Sequence, residues 1–160
     1  PLQHLTSFTQ DMERRGLRPS SRTLQLGVIP ASLELARLLD IEPQAEVVRV
    51  TRLRLANDQP LAIETVHLPS RRVPGILAQD LAGGALYRIL EEHYDSRPTR
   101  ARQTMEAAEP DANEMALLCL ERPHPVLRIA RSSSDEAGRA IEFVRSVYRG
   151  DRYQLTVELG

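Results

Sequence analysis

Arg52 and Arg54 stand two residues apart in a run rich in β-branched side chains, Val47-Val48-Arg49-Val50-Thr51-Arg52-Leu53-Arg54-Leu55. A strand repeats every two residues, so this spacing aims both guanidiniums at one place, on the face that also carries Val48 and Val50. Two planar, permanently charged forks side by side are suited to carboxylate or phosphate binding. If that face is interior, each fork needs an acidic partner, and Glu64 on the following strand is a natural one. The opposite face, with Val47, Arg49, Thr51, Leu53 and Leu55, is not much more apolar, so spacing alone leaves open whether the arginines face a core or solvent.

A second candidate lies at Ser7-Phe8-Thr9, ahead of Gln10-Asp11-Met12-Glu13-Arg14-Arg15-Gly16. Hydroxyl caps, an acidic first turn, a basic last turn and a glycine stop mark a short helix. Its free N–H groups and positive dipole end suit an anion, although most such caps serve only their own helix. Further on, Glu142, Val144, Ser146 and Tyr148 share one strand face, opposite Ile141, Phe143, Arg145 and Val147. The second set reads as core apart from Arg145. The first sets a carboxylate and a phenol about 20 Å apart along the strand, at two ends of a pocket or on a polar surface.

Catalytic and metal chemistry find little support. His4, His67, His93 and His124 show no metal-ligand spacing and read as surface or satisfied histidines, and the single cysteine excludes an internal disulfide and every multi-cysteine metal site. Cys119 itself reads as a small buried hydrophobe. There is no nucleophile elbow, Walker-type loop or dinucleotide fingerprint, and Gly83-Gly84 reads as a loop. No cofactor and no metal is expected. With 21 basic residues, all arginine, against 22 acidic ones, the net charge of −1 offers no field to hold a nucleic acid. Lack of a long apolar run and of a signal-peptide pattern gives the expectation of a cytoplasmic protein without membrane contact.

These side chains need elements to hold them, and 160 residues suit one domain. Alternation and β-branching predict strands over residues 23–29, 47–55, 61–68, 126–133, 140–148 and 153–159, with 98–107 extended. Helices are expected over 7–16, 32–39, 85–93 and 110–118, the last with Pro110 in its first turn. Asn57-Asp58-Gln59-Pro60 and Asp135-Glu136-Ala137-Gly138 link two hairpins. Hairpins plus a few helices give an α+β fold, an antiparallel β-sheet with covering helices. With four Tyr, two Phe and no Trp, its core must be built from Leu, Ile, Val and Ala.

Four segments in order carry a family resemblance: Ser7-Phe8-Thr9-Gln10-Asp11-Met12 followed by Arg15-Gly16-Leu17; Arg52-Leu53-Arg54-Leu55-Ala56; Pro60-Leu61-Ala62-Ile63-Glu64; and Glu142-Phe143-Val144-Arg145-Ser146-Val147-Tyr148-Arg149-Gly150-Asp151-Arg152-Tyr153. Over essentially its whole length the chain resembles the effector-binding (UTRA) domain of HutC-type GntR transcription regulators, closest to the DasR-like regulators of N-acetylglucosamine use. The resemblance implies a chorismate-lyase-like fold, residues 1–160 as one effector-binding domain, a homodimer, and a winged-helix DNA-binding domain preceding Pro1 through which alone DNA is met. It implies no enzymatic activity. The effector would be a small anionic metabolite, an amino-sugar phosphate such as glucosamine 6-phosphate or N-acetylglucosamine 6-phosphate. Ser7, Phe8, Thr9, Arg52 and Arg54 would hold the phosphate, while Glu64, Tyr87, Glu142 and Tyr148 would contact the sugar or the arginines.

One departure stands out: relatives carry a Ser where this chain has Ala85 in Ala85-Leu86-Tyr87, which removes a phosphate donor. An arginine pair accepts carboxylate as well as phosphate, so a carboxylate effector stays open. Two further readings remain, a chorismate-lyase-like enzyme and a dimerisation module with a vestigial pocket.

Overall fold

The computed structural model describes residues 8–81 and 86–155. Strands β1 (Pro19–Pro30), β2 (Glu46–Ala56), β3 (Gln59–Pro69), β4 (Arg100–Ala108), β5 (Val126–Ser134) and β6 (Ala140–Arg149) form one sheet in the order β1-β2-β3-β6-β5-β4. Every neighbouring pair is antiparallel. Helices α1 (Phe8–Arg14), α2 (Leu33–Leu39), α3 (Leu86–Tyr94) and α4 (Ala112–Leu117) cover its two faces, giving the expected α+β architecture.

The two-residue period sorts the core. On one face, Val48, Val50, Val66, Leu68 and Val144 pack against Leu86, Ile89 and Leu90 of α3, while Ala62 and Tyr148 receive Phe8 and Met12 of α1. On the other, Val47 and Phe143 lie under Leu35, Ala36 and Leu39 of α2, and Leu53 clusters with Met115, Leu117 and Leu118 at α4. The central strands are therefore covered on both sides, which is why neither face of residues 47–55 reads as the solvent one.

Several expectations change in detail. Asn57 and Asp58 both take positive φ, 49° and 63°, so β2 and β3 join through a two-residue turn rather than a four-residue link. The strand expected over 23–29 extends to twelve residues, with a register shift between Thr23 and Gln25. Pro110 is not in the first turn of α4: Asp111 is its N-cap, accepting from the Glu114 N–H at 2.7 Å, while the Glu114 carboxylate accepts from the Asp111 N–H at 2.9 Å. Cys119 is exposed, not buried, because it takes the left-handed position after α4 (φ 53°) while Leu118 and Leu120 on either side turn inward.

No strand begins at Tyr153. Its ring packs tilted against Tyr148 at 4.2 Å with the Arg15 guanidinium 4.8 Å above it, so Tyr153 covers the contact between α1 and β6; residues 156–159 lie outside the described set, as do Ser7, His4 and Ala82–Ala85 of the expected helix starts and loops. His67 is a satisfied core histidine, its Nδ1 at 3.2 Å from the Phe143 carbonyl. Arg145 leaves the core as expected, reaching Glu34 at 2.8 Å.

Gly150 joins the end of β6 to the start of β5: its N–H donates to the Pro125 carbonyl at 3.0 Å, and a Cβ there would lie 2.3 Å from that oxygen. Gly150→Ala is expected to lower unfolding free energy by about 2 kcal/mol or more. Urea titration reads this as a lower midpoint at constant slope, and an unchanged midpoint contradicts the close approach.

Candidate functional site

Arg52 and Arg54 are interior, 4% and 2% exposed, on the sheet face beneath α1 and α3. The tight β2–β3 turn sets Arg52 directly opposite Glu64, itself 8% exposed. Arg52 Nη2 donates to Glu64 Oε1 at 2.5 Å and its Nη1 to the Leu81 carbonyl at 3.1 Å. Arg54 Nη1 lies 3.5 Å from the same Glu64 oxygen. Its Nη2 donates to the Thr9 hydroxyl at 3.3 Å, and its guanidinium lies 4.5 Å from the centre of the Phe8 ring. The first turn of α1 thus rests on Arg54.

A second polar group faces the first. The β5–β6 hairpin sets Ser133 opposite Glu142 and Arg131 opposite Val144. Glu142 Oε1 accepts from the Tyr87 hydroxyl of α3 at 2.5 Å and from the Ser133 hydroxyl at 3.0 Å. Arg131 Nη2 donates to the Tyr87 oxygen at 2.5 Å and stands 4.0 Å from Glu142. Tyr87 is the one contact by which this group holds α3 down through hydrogen bonds among the described residues.

The charges are unequal. Among the described residues lining the space between the two groups, three guanidiniums (Arg52, Arg54, Arg131) face two carboxylates, Glu64 and Glu142. Burial pushes the Glu64 carboxyl up, but Arg52 and Arg54 outweigh it and hold it below the ordinary carboxylate value. For Glu142 burial prevails over Arg131 and over the Tyr87 and Ser133 hydrogen bonds, and its pKa is raised. Burial and the nearby Glu142 push the Tyr87 phenol well above its usual range, keeping it a hydrogen-bond donor.

The polar atoms are also incompletely matched. Nε of Arg52, Arg54 and Arg131 and Oε2 of Glu142 are buried with no hydrogen-bond partner among the described residues. The four residues that carry them line a cavity of about 20 Å³, walled also by Phe8 and Tyr87. That is room for about one water, whereas metabolite pockets run to ~300 Å³ or more. Tyr87 also lines an open groove of about 1320 Å³, bounded by Glu13 of α1, Glu91 of α3 and Asp135 of the β5–β6 turn.

Of the residues singled out in the sequence, Phe8, Arg52, Arg54, Glu64, Tyr87 and Glu142 line this one cavity, and Thr9 borders it through Arg54. Tyr148 sits behind Phe8, 6.4 Å between ring centres, rather than in the wall. Ser7 and Ala85 lie outside the described residues. Arg131 and Ser133 were missed. Their signal was present: the expected hairpin, paired about its Asp135–Gly138 turn, places both on the face of Glu142.

Raised above its ordinary 4.5, native Glu142 keeps a proton that the unfolded chain has released, so stability falls as pH rises through that window. Gln copies the protonated carboxyl. The stability of Glu142→Gln relative to wild type is therefore expected to grow as pH rises above 4.5 and then to level off; parallel denaturation curves at every pH contradict this.

The UTRA domain model matches residues 14–154. The chain is 38% identical over 152 residues to the HTH-type transcriptional repressor NagR of Bacillus subtilis, covering 95% of this chain and 62% of the relative. It is 31% identical over 150 residues to the repressor PhnF of Mycolicibacterium smegmatis, covering 94% and 61%. It thus spans about three-fifths of these relatives, which are named as repressors and not as enzymes. The solved effector domain of PhnF superimposes with a TM-score of 0.93 at 29% identity, over 98% of this chain and 96% of that one. The ligand-binding domain of a GntR-family regulator from Bordetella bronchiseptica gives 0.80 at 26% identity, over 89% and 92%. With its antiparallel sheet, two-sided helical cover and matched length, the chain belongs to the UTRA domain family of GntR-type transcription regulators.

Proposed function

We propose that residues 1–160 form the effector-sensing domain of a transcription regulator, and that the cavity beneath α1 and α3 takes a small anionic metabolite, an amino-sugar phosphate. The observation that carries this is the buried excess of guanidinium over carboxylate around one space, each of its three arginines having an unpaired Nε among the described residues. A phosphate oxygen is an acceptor that Arg52 and Arg54 can share, and its charge offsets the positive excess. The orphan Glu142 Oε2 suits a hydroxyl or amine at the other pole of the ligand. Arg52 and Arg54 hold the phosphate with Thr9; Glu64 orients the arginines; Glu142 and Tyr87 meet the sugar. Tyr148 backs Phe8, and Ser7, the residue before Phe8 in the chain, is assigned to the phosphate with Thr9.

The cavity is too small for such a ligand, so entry requires α1 or α3 to lift. The wide groove shared through Tyr87 supplies the route. In the same reading the ligand replaces the Thr9 and Tyr87 contacts, and α1, resting on Arg54, passes the change toward a DNA-binding domain on its N-terminal side in a cytoplasmic homodimer. The effector shifts DNA binding only through a difference in affinity for the two conformations. A second reading, a dimerisation module with an unused pocket, is favoured by the small cavity; the unpaired buried polar atoms weigh against it.

Thermal unfolding of the wild-type chain is expected to shift upward with glucosamine 6-phosphate or N-acetylglucosamine 6-phosphate and not with glucose 6-phosphate. Arg52→Ala removes two charged hydrogen-bond donors and is expected to weaken that binding by about 100-fold or more while unfolding stays cooperative. No shift with any phosphosugar or carboxylate selects the unused-pocket reading, and undiminished binding by Arg52→Ala removes the arginines from the site.

A further inference from the structure

Arg131 is the guanidinium whose carboxylate stands farthest off, although, against its burial, Glu142 and Glu64 still hold its pKa above the ordinary value. Arg52 and Arg54 bracket Glu64 at 2.5 and 3.5 Å, but Arg131 reaches only the neutral Tyr87 hydroxyl at hydrogen-bond distance and stays 4.0 Å from Glu142. Its side chain is 17% exposed, and its Nε is buried without an acceptor among the described residues. A buried donor left without an acceptor is costly, and a ligand oxygen that accepts from Nε removes that cost.

Its position differs from that of the other two. Arg52 stands on β2 and Arg131 on β5, with β3 and β6 between them. Their backbones are thus about 14 Å apart across the sheet, yet both side chains wall the same cavity, entering from opposite sides. An anion seated on Arg52 and Arg54 therefore leaves Arg131 at the far pole, beside Glu142 and Ser133.

We infer that Arg131 is an effector-binding, specificity-determining residue: freed from Tyr87 when α3 lifts, it donates to a second acceptor oxygen of the effector, remote from the anion, while Glu142 takes an adjacent donor. This rests on the reading of the cavity as an effector site. It adds a selectivity rule, that the preferred effector is two-poled, with a carbonyl or hydroxyl oxygen next to an N–H or O–H at the end opposite its anion. An acetamido group, which offers a carbonyl beside an N–H, satisfies both Arg131 and Glu142; a bare ammonium satisfies Glu142 alone and is repelled by Arg131.

The test is calorimetric titration of the wild-type chain, Arg131→Gln, Arg131→Lys and Arg52→Gln with N-acetylglucosamine 6-phosphate, glucosamine 6-phosphate and inorganic phosphate. Wild type is expected to prefer the N-acetylated sugar. Arg131→Gln should weaken that ligand ten-fold or more, the loss of a charge-assisted hydrogen bond, while leaving inorganic phosphate unchanged. Arg131→Lys, which keeps the charge without the fork, should recover part of the loss. Arg52→Gln should weaken all three ligands alike. Equal binding of the N-acetylated sugar by wild type and Arg131→Gln overturns the assignment of Arg131 alone. So does an equal loss for that sugar and for phosphate, which marks a purely structural role. Failure of wild type to bind any of the three overturns the amino-sugar-phosphate reading and this inference with it.

Discussion

The burial of Arg52, Arg54 and Glu64 on one face of a two-sided sheet is the constraint around which the domain is arranged. A guanidinium carried into an apolar interior is tolerable only with its charge and its directional donors met. Glu64 meets the first requirement because the two-residue turn at Asn57-Asp58 brings it opposite Arg52. One carboxylate between two guanidiniums leaves the trio positive. Other elements meet part of what remains, Arg52 through the Leu81 carbonyl and Arg54 through Thr9 and the face of Phe8, while Nε of each has no partner among the described residues. The helix and loop that cover the sheet are thus held by the same groups that equip it to bind an anion.

Opposite this trio, Tyr87, Arg131, Ser133 and Glu142 repeat the principle with a different outcome. Tyr87 on α3 bridges a guanidinium and a carboxylate that both come from the sheet, so the helix is tied to the hairpin through a neutral group. Partial satisfaction makes such a network costly and poised, because any group that supplies the missing donors and acceptors competes with the bridge. The apolar part of α3, Leu86, Ile89 and Leu90, packs irrespective of that bridge, which separates what anchors the helix from what closes the cavity.

Much of this was legible in the residue order. Period-two alternation located the main strands, the hairpin signals paired them, and the Arg-x-Arg spacing with a Glu on the next strand named the charged trio. The errors have local causes. Tyr153–Leu155 has the alternation of a strand but no neighbour to pair with, since its aromatic ring is claimed by Tyr148 and Arg15. Cys119 reads as buried from its leucine neighbours, yet the left-handed residue ending a helix turns its side chain away from both. Arg131 was passed over because a lone arginine in a strand ordinarily faces water, and only pairing across the hairpin sets it beside Glu142.

The sequence by itself determined the element types, the antiparallel pairing of the two hairpins and the identity of the arginine pair, because these follow from periods of two and four residues and from turn chemistry confined to a few neighbours. That both faces of β2 are interior, how small the enclosed space is, and which charges from β2, β3, β5 and β6 converge on it were decided only by the tertiary structure. The reason is physical: the polarity of a strand's two faces is local, but what covers each face is not, and the guanidiniums are enclosed only when α1 and α3 bring Phe8 and Tyr87 against them while α2 and α4 cover the other face.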